Sequence, residues 1–192
     1  KIVDRALAYL RGVLNYDDFK PLSFRAGNWL FQPTQPAAAV LAERGIKVDS
    51  SVFKGGLQHQ HSLDYRQALG NGYYWRFEGN VNVPDPGGSL LEMPIYTQMV
   101  PFWKMLTGKR IGLQQKSAPA AAAASHRLSN LRDRLRFMYP LKFDFCRMTL
   151  DELTRTVNEL LDIDRSDPEA WRPVVAIGHT KDLSEPDVVP PA

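Results

Sequence analysis

The sequence predicts an α/β fold in which helices cover a mainly parallel sheet. Segments with helical spacing of apolar residues alternate with short strand-like runs, which is the pattern of parallel α/β architectures. The run at 173–178, "PVVAIG", is apolar without interruption and is typical of a strand buried on both faces. Runs of this kind end in one ionisable residue at Arg25, Asp49 and His179. Because such sheets carry their working residues at the carboxyl ends of their strands, we expect these side chains to converge.

The elements follow from local patterns along the chain. Pro36 and Gly45 mark the start and stop of one helix, and the pair Thr149 and Glu152 forms a capping-box pattern at the start of another. The predicted helices are 1–14, 35–45, 62–72, 99–109, 117–138 and 149–163, and the predicted strands are 22–24, 46–51, 73–77, 89–97, 141–148 and 173–178.

Composition limits the class of protein. The chain has 192 residues, 44% of them apolar and 23% charged, as expected of a soluble globular protein. We predict one domain over 1–185 and a flexible, proline-rich tail over 186–192. The net charge of +3 implies no nucleic-acid partner. No apolar run reaches the roughly 18 residues that a membrane span needs.

The cellular compartment is only weakly indicated. The lone cysteine, Cys146, excludes an internal disulfide and slightly favours a reducing, cytoplasmic location. The sequence begins at Lys1 rather than Met, which leaves room for upstream residues and for a targeting signal among them. The oligomeric state is not indicated.

Three stretches together resemble a known family. The pieces "FRAGNW" around Arg25, "GIKVDSSVF" around Asp49 and "IGH" ending in His179 are similar to the second half of a polysaccharide deacetylase. These proteins are metal-dependent carbohydrate esterases on a distorted parallel-strand (β/α) barrel. The resemblance covers roughly residues 20 to 182 and implies a barrel that is incomplete at its N-terminus.

The resemblance also implies roles for these residues. Arg25 looks like the arginine that pairs with the catalytic base, Asp49 like the carboxylate that orients and charges a histidine, and His179 like the general acid that protonates the leaving amine. A histidine held by a carboxylate has a raised pKa and stays protonated near neutral pH. The implied substrate is an acetylated polysaccharide or oligosaccharide.

The metal motifs of the family are not found in this sequence. The resemblance implies a divalent metal, with zinc expected, held by one Asp and a spaced pair of histidines. His59 and His61 in "HQH" are the weak candidates for ligands, although they read as part of a glycine-containing loop. Without the base and the ligands, we expect this chain alone not to deacetylate an N-acetylated oligosaccharide.

The sequence is compatible with more than one function. The metal motifs would lie upstream if this is the C-terminal part of a catalytic domain. Alternatively, the chain is a catalytically inactive carbohydrate-binding or interaction domain that keeps the deacetylase fold. Trp29, which follows Arg25 closely, is the best candidate for stacking on a sugar ring, since sugars present apolar C–H faces to aromatic rings.

Overall fold

The computed structural model describes residues 1–58, 61–69, 73–106 and 137–178. The chain divides into two compact units, an N-terminal unit, Lys1–Pro94, and a C-terminal unit, Ile95–Ala192. The prediction of a single domain over 1–185 stays a prediction. Among the helices of the described residues, none combines the length and the apolar character that a bilayer crossing requires.

Two helices of the N-terminal unit form where the sequence predicted them. Helix α1 spans Ile2–Leu14 and helix α2 spans Thr34–Glu43. After the end of α1, the left-handed φ of 49° at Asn15 turns the chain so that the Tyr16 N–H bonds the Arg11 carbonyl at 3.1 Å. Helix α2 has its buried side chains at the spacing of one helical face, and these are Thr34, Ala38 and Leu41.

The strands of the N-terminal unit are short. In chain order they are β1 Ser23–Phe24, β2 Val48–Asp49, β3 Leu57–Gln58, β4 Leu63–Asp64, β5 Trp75–Phe77 and β6 Leu90–Glu92. Four of them form one sheet in the order β1-β2-β6-β5, and β3 pairs with β4 in a separate antiparallel ladder. The pairs β1–β2 and β2–β6 are parallel, while β5 joins the edge antiparallel. The carboxyl ends of β1, β2 and β6 therefore lie at one edge.

One row of register partners crosses this sheet. Phe24 pairs with Asp49, Asp49 with Glu92, and Glu92 with Trp75. Side chains in register on neighbouring strands point to the same face. The last residue of each parallel strand thus contributes to a common row in which two carboxyl groups lie between two aromatic residues.

An aromatic cluster forms much of the core of the N-terminal unit. The Phe31 ring packs edge-on against Phe77 at 6.1 Å and tilted against Phe24 at 5.9 Å between centroids. The Phe53 ring packs edge-on against Tyr65 at 5.8 Å. Such offset aromatic contacts add to the free energy gained from burying the rings.

The helix predicted over 62–72 is wrong for the described part of that segment. Residues Leu63–Asp64 form strand β4, which pairs with β3, and turns follow. Leu63 and Tyr65 are both buried, at 1% and 0% exposure, with Asp64 less buried between them. This alternation has the period of a strand rather than of a helix.

The described part of the C-terminal unit contains an antiparallel two-stranded ladder and one long helix. Strand β7, Thr97–Pro101, is antiparallel to β8, Met138–Lys142, and a short 3₁₀ turn follows β7 at Phe102–Met105. Helix α3 spans Leu150–Ser166 and begins with the predicted capping box. A small hydrophobic core in the C-terminal unit is formed by Val100, Leu141, Phe143 and Met148.

Several predicted boundaries in this half of the chain are wrong. The strand predicted over 89–97 is two strands, because β6 ends at Glu92 and β7 begins at Thr97, with Pro94 between them. The segment 99–109, predicted as a helix, begins as strand β7. The run 173–178 makes only isolated bridges, through Val175 and Ile177. The predicted helix 117–138 lies outside the described residues except at its C-terminal end, where β8 begins.

The sheet of the N-terminal unit is mixed rather than wholly parallel, with three parallel strands and an antiparallel edge strand. The (β/α) barrel implied by the family resemblance stays a prediction.

Candidate functional site

Arg25 and Asp49 lie at the carboxyl ends of neighbouring parallel strands. Arg25 directly follows β1, and Asp49 is the last residue of β2. Their side chains nonetheless have different surroundings. Arg25 is exposed and donates from Nε to the Ser50 carbonyl and from Nη2 to Ser50 Oγ, both at 2.9 Å. Asp49 is fully buried, with 0% exposure.

The buried Asp49 carboxylate is held by Ser51. Its Oδ1 accepts a hydrogen bond from Ser51 Oγ at 2.7 Å, and its Oδ2 accepts from the Ser51 backbone N–H at 3.2 Å. Ser51 Oγ in turn accepts from the Ala26 N–H at 2.8 Å. One serine thereby joins the loop after β1 to the loop after β2 and fixes the carboxylate between them.

Glu92 is the second buried acid of the site. It is the register partner of Asp49 and also has 0% exposure. Its Oε1 accepts from the Val52 N–H at 3.0 Å, while Oε2 finds no donor among the described residues. The Glu92 and Asp49 carboxyl groups lie within hydrogen-bonding reach of each other, which requires a proton between them.

The electrostatics of the pair assign this proton. Burial raises the pKa of Glu92 well above its usual value, and the neighbouring negative charge of Asp49 raises it further, while Arg25 opposes the shift. Burial also raises the pKa of Asp49, but hydrogen bonds from Glu92 and Ser51 counteract it. The pKa is raised more strongly at Glu92 than at Asp49, so the proton of the pair is assigned to Glu92.

Tyr65 is hydrogen-bonded to the loop that contains Trp29 and is influenced by the charges of this pair. Its hydroxyl donates to the Trp29 carbonyl at 2.7 Å and accepts from the Phe31 N–H at 3.4 Å. Burial raises the pKa of Tyr65, and the charges of Asp49 and Glu92 raise it further. Tyr65 therefore stays a neutral phenol beside the acid pair.

Trp29, the predicted sugar-stacking residue, lies in an unusual backbone conformation. Both Asn28 and Trp29 have left-handed φ values, 52° and 65°, which bulky side chains rarely adopt. The indole is half-buried and packs edge-on against Phe53 at 6.1 Å. The bond from Tyr65 to the Trp29 carbonyl stabilises this conformation.

Of the three histidines predicted to act in the site, the structure describes only His61. His179 and His59 lie outside the described residues, and His61 is exposed beside β4. Within 1–58, 61–69, 73–106 and 137–178, no cluster of three or more His, Cys, Asp or Glu side chains could hold a metal ion. The described residues thus bring together Arg25, Asp49 and Glu92 and leave the remaining assignments as predictions.

Sequence reasoning missed both Glu92 and Ser51. A signal for Glu92 was present, since a single acid within the apolar run "SLLEMPI" needs a partner if that strand is buried. Ser51 was read only as part of the "DSS" turn after Asp49. Its link to the Ala26 N–H depends on the pairing of β1 with β2, which the local sequence does not encode.

No protein-family model, no curated protein and no solved structure matches this chain.

Proposed function

We propose that this protein is a hydrolase that removes acetyl groups from a carbohydrate, with Asp49 as the carboxylate that supports the general acid. The observation that carries the proposal is the buried Asp49–Glu92 pair at the carboxyl ends of parallel strands, beside Arg25. Buried carboxyl groups with shifted pKa values are more common at functional sites than elsewhere. The choice of reaction rests on the resemblance of the Arg25 and Asp49 segments to polysaccharide deacetylases.

The proposed reaction cleaves an acetamide. Water adds to the carbonyl carbon, and a tetrahedral oxyanion forms and collapses as the C–N bond breaks. The products are acetate and the free amine of the sugar, and the amine must receive a proton as it leaves. The proposal gives this proton transfer to His179, whose protonated form an ionised Asp49 would favour.

Glu92 gives Asp49 its charge state in this proposal. Because Glu92 holds the proton of the pair, Asp49 stays ionised although it is fully buried. The Ser51 hydrogen bonds orient the same carboxylate. Glu92 and Ser51 are therefore positioning residues that act through Asp49.

The acid pair itself does not fit a metal. The pair offers two carboxyl groups, and no third His, Cys, Asp or Glu side chain joins them as a ligand among the described residues. No step of the proposed reaction is therefore routed through a metal at Asp49 and Glu92. The zinc implied by the family resemblance would need ligands elsewhere.

The proposal is tested by measuring acetate release from N-acetylchitotetraose. The assay uses the protein as its organism makes it, with divalent metal added. His179→Ala should lower the rate by about 10²–10⁴, the usual contribution of a general acid. Asp49→Asn should also lower it and should move the high-pH limb of the pH–rate profile to lower pH, because imidazolium loses its partner.

His61→Ala tests the weaker ligand candidate, an exposed imidazole near β4, and is expected to leave the rate unchanged. Absence of acetate release from the wild type would overturn the hydrolase assignment. An unchanged high-pH limb in Asp49→Asn would overturn the pairing of Asp49 with the acid. Loss of activity in His61→Ala would instead assign His61 a role as ligand.

A further inference from the structure

The N-terminal unit contains an open cavity that the acid pair does not use. Its volume is about 600 Å³, within the ~300–1,000 Å³ range of small-molecule sites. It lies at the start of helix α2 and beside strand β4. It is lined by Gln32, Pro33, Thr34, Gln35, Ser62, Asp64, Gln67, Gly79, Asn80 and Asn82.

The lining is polar but almost uncharged. Five lining residues carry amide side chains and two carry hydroxyl groups, and each of these groups can both donate and accept hydrogen bonds. Among the described lining residues Asp64 is the one that is ionisable, and Arg66 engages its Oδ2 at 2.6 Å. Because the described lining residues include no lysine, arginine or histidine, the cavity suits a neutral ligand rather than a phosphate or a carboxylate.

One wall of the cavity is rigid. The Gln32 amide bonds both backbone groups of Asp64, because Nε2 donates to its carbonyl at 2.9 Å and Oε1 accepts from its N–H at 2.6 Å. Asn82 Nδ2 donates to the same carbonyl at 2.8 Å. These amides hold the wall in place before any ligand arrives, which lowers the entropy cost of binding.

Other polar groups of the lining are available to a ligand. Thr34 lines the cavity, and its hydroxyl makes no hydrogen bond to any described residue. Gln35 and Gln67 are exposed. Their side-chain amides make no hydrogen bond to the described part of the chain. Pro33 adds an apolar surface against which a ring can rest.

We propose that this cavity binds a sugar ring of an uncharged oligosaccharide. Sugar hydroxyl groups donate and accept at once, as the amides and the Thr34 hydroxyl do, and the ring carries no charge that would need a counter-ion. This assignment rests on the cavity and not on the proposed hydrolysis, since it concerns binding alone. It would hold equally for an inactive carbohydrate-binding protein.

Isothermal titration of the purified chain tests the proposal with three uncharged probes, N-acetylchitotetraose, cellotetraose and mannotetraose, and with tetragalacturonate as the acidic counterpart. At least one uncharged probe should bind, and tetragalacturonate should not compete with it. Thr34→Val, which keeps the shape of the side chain, and Gln67→Ala should each weaken binding about three- to tenfold, as loss of one hydrogen bond implies.

Asn158→Ala is the control, because it removes an exposed amide from helix α3 and should leave the affinity unchanged. Three results would overturn the proposal: no binding of any uncharged probe, equal binding of tetragalacturonate, or full affinity in both Thr34→Val and Gln67→Ala. Binding without acetate release would contradict the hydrolase assignment while leaving this site in place. If the wild type released acetate while the cavity variants kept full affinity, the hydrolase assignment would stand and the cavity assignment would be overturned.

Discussion

Glu92 and Asp49 are register partners on adjacent parallel strands, and both side chains are completely buried. Two ionised carboxylates at this separation would repel each other in a medium of low polarity. The raised pKa of Glu92, to which the neighbouring Asp49 contributes, is consistent with one proton shared by the pair. The pair is therefore a protonated Glu92 beside an ionised Asp49.

The shared proton predicts that stability falls as pH rises. The pKa of Glu92 is raised in the folded state above its ordinary value of 4.5, so the folded protein binds more protons than the unfolded chain above that pH. The stabilisation is complete below the ordinary pKa and is lost as pH rises through the folded pKa. Urea unfolding across this window should show a slope of up to about 1.4 kcal/mol per pH unit.

Glu92→Gln should remove most of this slope. The glutamine amide can donate to Asp49 as the protonated acid does, while its oxygen still accepts from the Val52 N–H. Glu169→Gln removes an exposed carboxylate and should leave the slope as it is in the wild type. An equal slope in Glu92→Gln and wild type would show that Glu92 is ionised in the folded protein.

Ser51→Ala should destabilise the N-terminal unit. The substitution leaves the Ala26 N–H without its acceptor and takes one donor from Asp49, and both groups are buried. Unsatisfied buried groups of this kind cost about 1–3 kcal/mol each. The lost bond should also raise the pKa of Asp49, because the Ser51 hydrogen bonds lower it.

Ser50→Ala provides the comparison for Ser51→Ala in the same urea titration. Within the described part of the chain, the Ser50 hydroxyl forms a hydrogen bond only with the exposed Arg25 guanidinium, so its loss should cost less than about 1 kcal/mol. Equal costs for the two variants would mean that Ser51 does not join the two loops.

Gly88→Ala should destabilise the same unit for a steric reason. A Cβ at Gly88 would lie 2.3 Å from the backbone carbonyl carbon and oxygen of Phe77, on the neighbouring strand β5. Backbone atoms cannot move aside cheaply, so we expect a cost of about 1–3 kcal/mol, as for other overpacked positions. Thermal unfolding followed by tryptophan fluorescence measures the effect.

Gly12→Ala is the opposite case and a suitable control. Gly12 lies within helix α1 with no atom near its added Cβ, so alanine should stabilise by about 0.5–1 kcal/mol through helix propensity. If Gly88→Ala were as well tolerated as Gly12→Ala, the approach of Gly88 to Phe77 would be looser than the structure describes.

The sequence predicts elements that depend on local signals better than those that depend on pairing. The Thr149–Glu152 pattern and the apolar stripe after it correctly indicated helix α3. The segment around Tyr65 was predicted as a helix because its apolar spacing is ambiguous over a short stretch. Its strand conformation is stabilised by pairing with the nearby β3 and by the bond from Tyr65 to the Trp29 carbonyl, which is 36 residues away in the sequence.

The candidate site also combines features that the sequence predicts with features that it does not. The positions of Arg25 and Asp49 at strand ends could be predicted, since a run of apolar residues that stops at an ionisable one is visible in the sequence. That Asp49 would have Glu92 as its neighbour could not be predicted, because strand order in a sheet is not a local property. β6 lies next to β2 although three strands separate them along the chain.

The capping box of helix α3 gives the last prediction. Thr149 Oγ1 accepts from the Glu152 N–H at 3.3 Å, and Glu152 Oε2 accepts from the Thr149 N–H at 2.8 Å. Thr149→Ala should cost about 1 kcal/mol, since one of the first N–H groups of the helix loses its acceptor. Urea unfolding followed by circular dichroism at 222 nm measures the loss.

Two further variants separate the cap from general effects of substitution. Thr154→Ala removes an exposed threonine from within α3 and should stabilise slightly, because alanine is the better helix former. Glu152→Gln should cost only a few tenths of a kcal/mol, since the amide oxygen can still accept from the Thr149 N–H while only the favourable charge at the helix N-terminus is lost. A loss in Thr149→Ala no larger than that in Glu152→Gln would contradict the assigned role of the threonine hydroxyl.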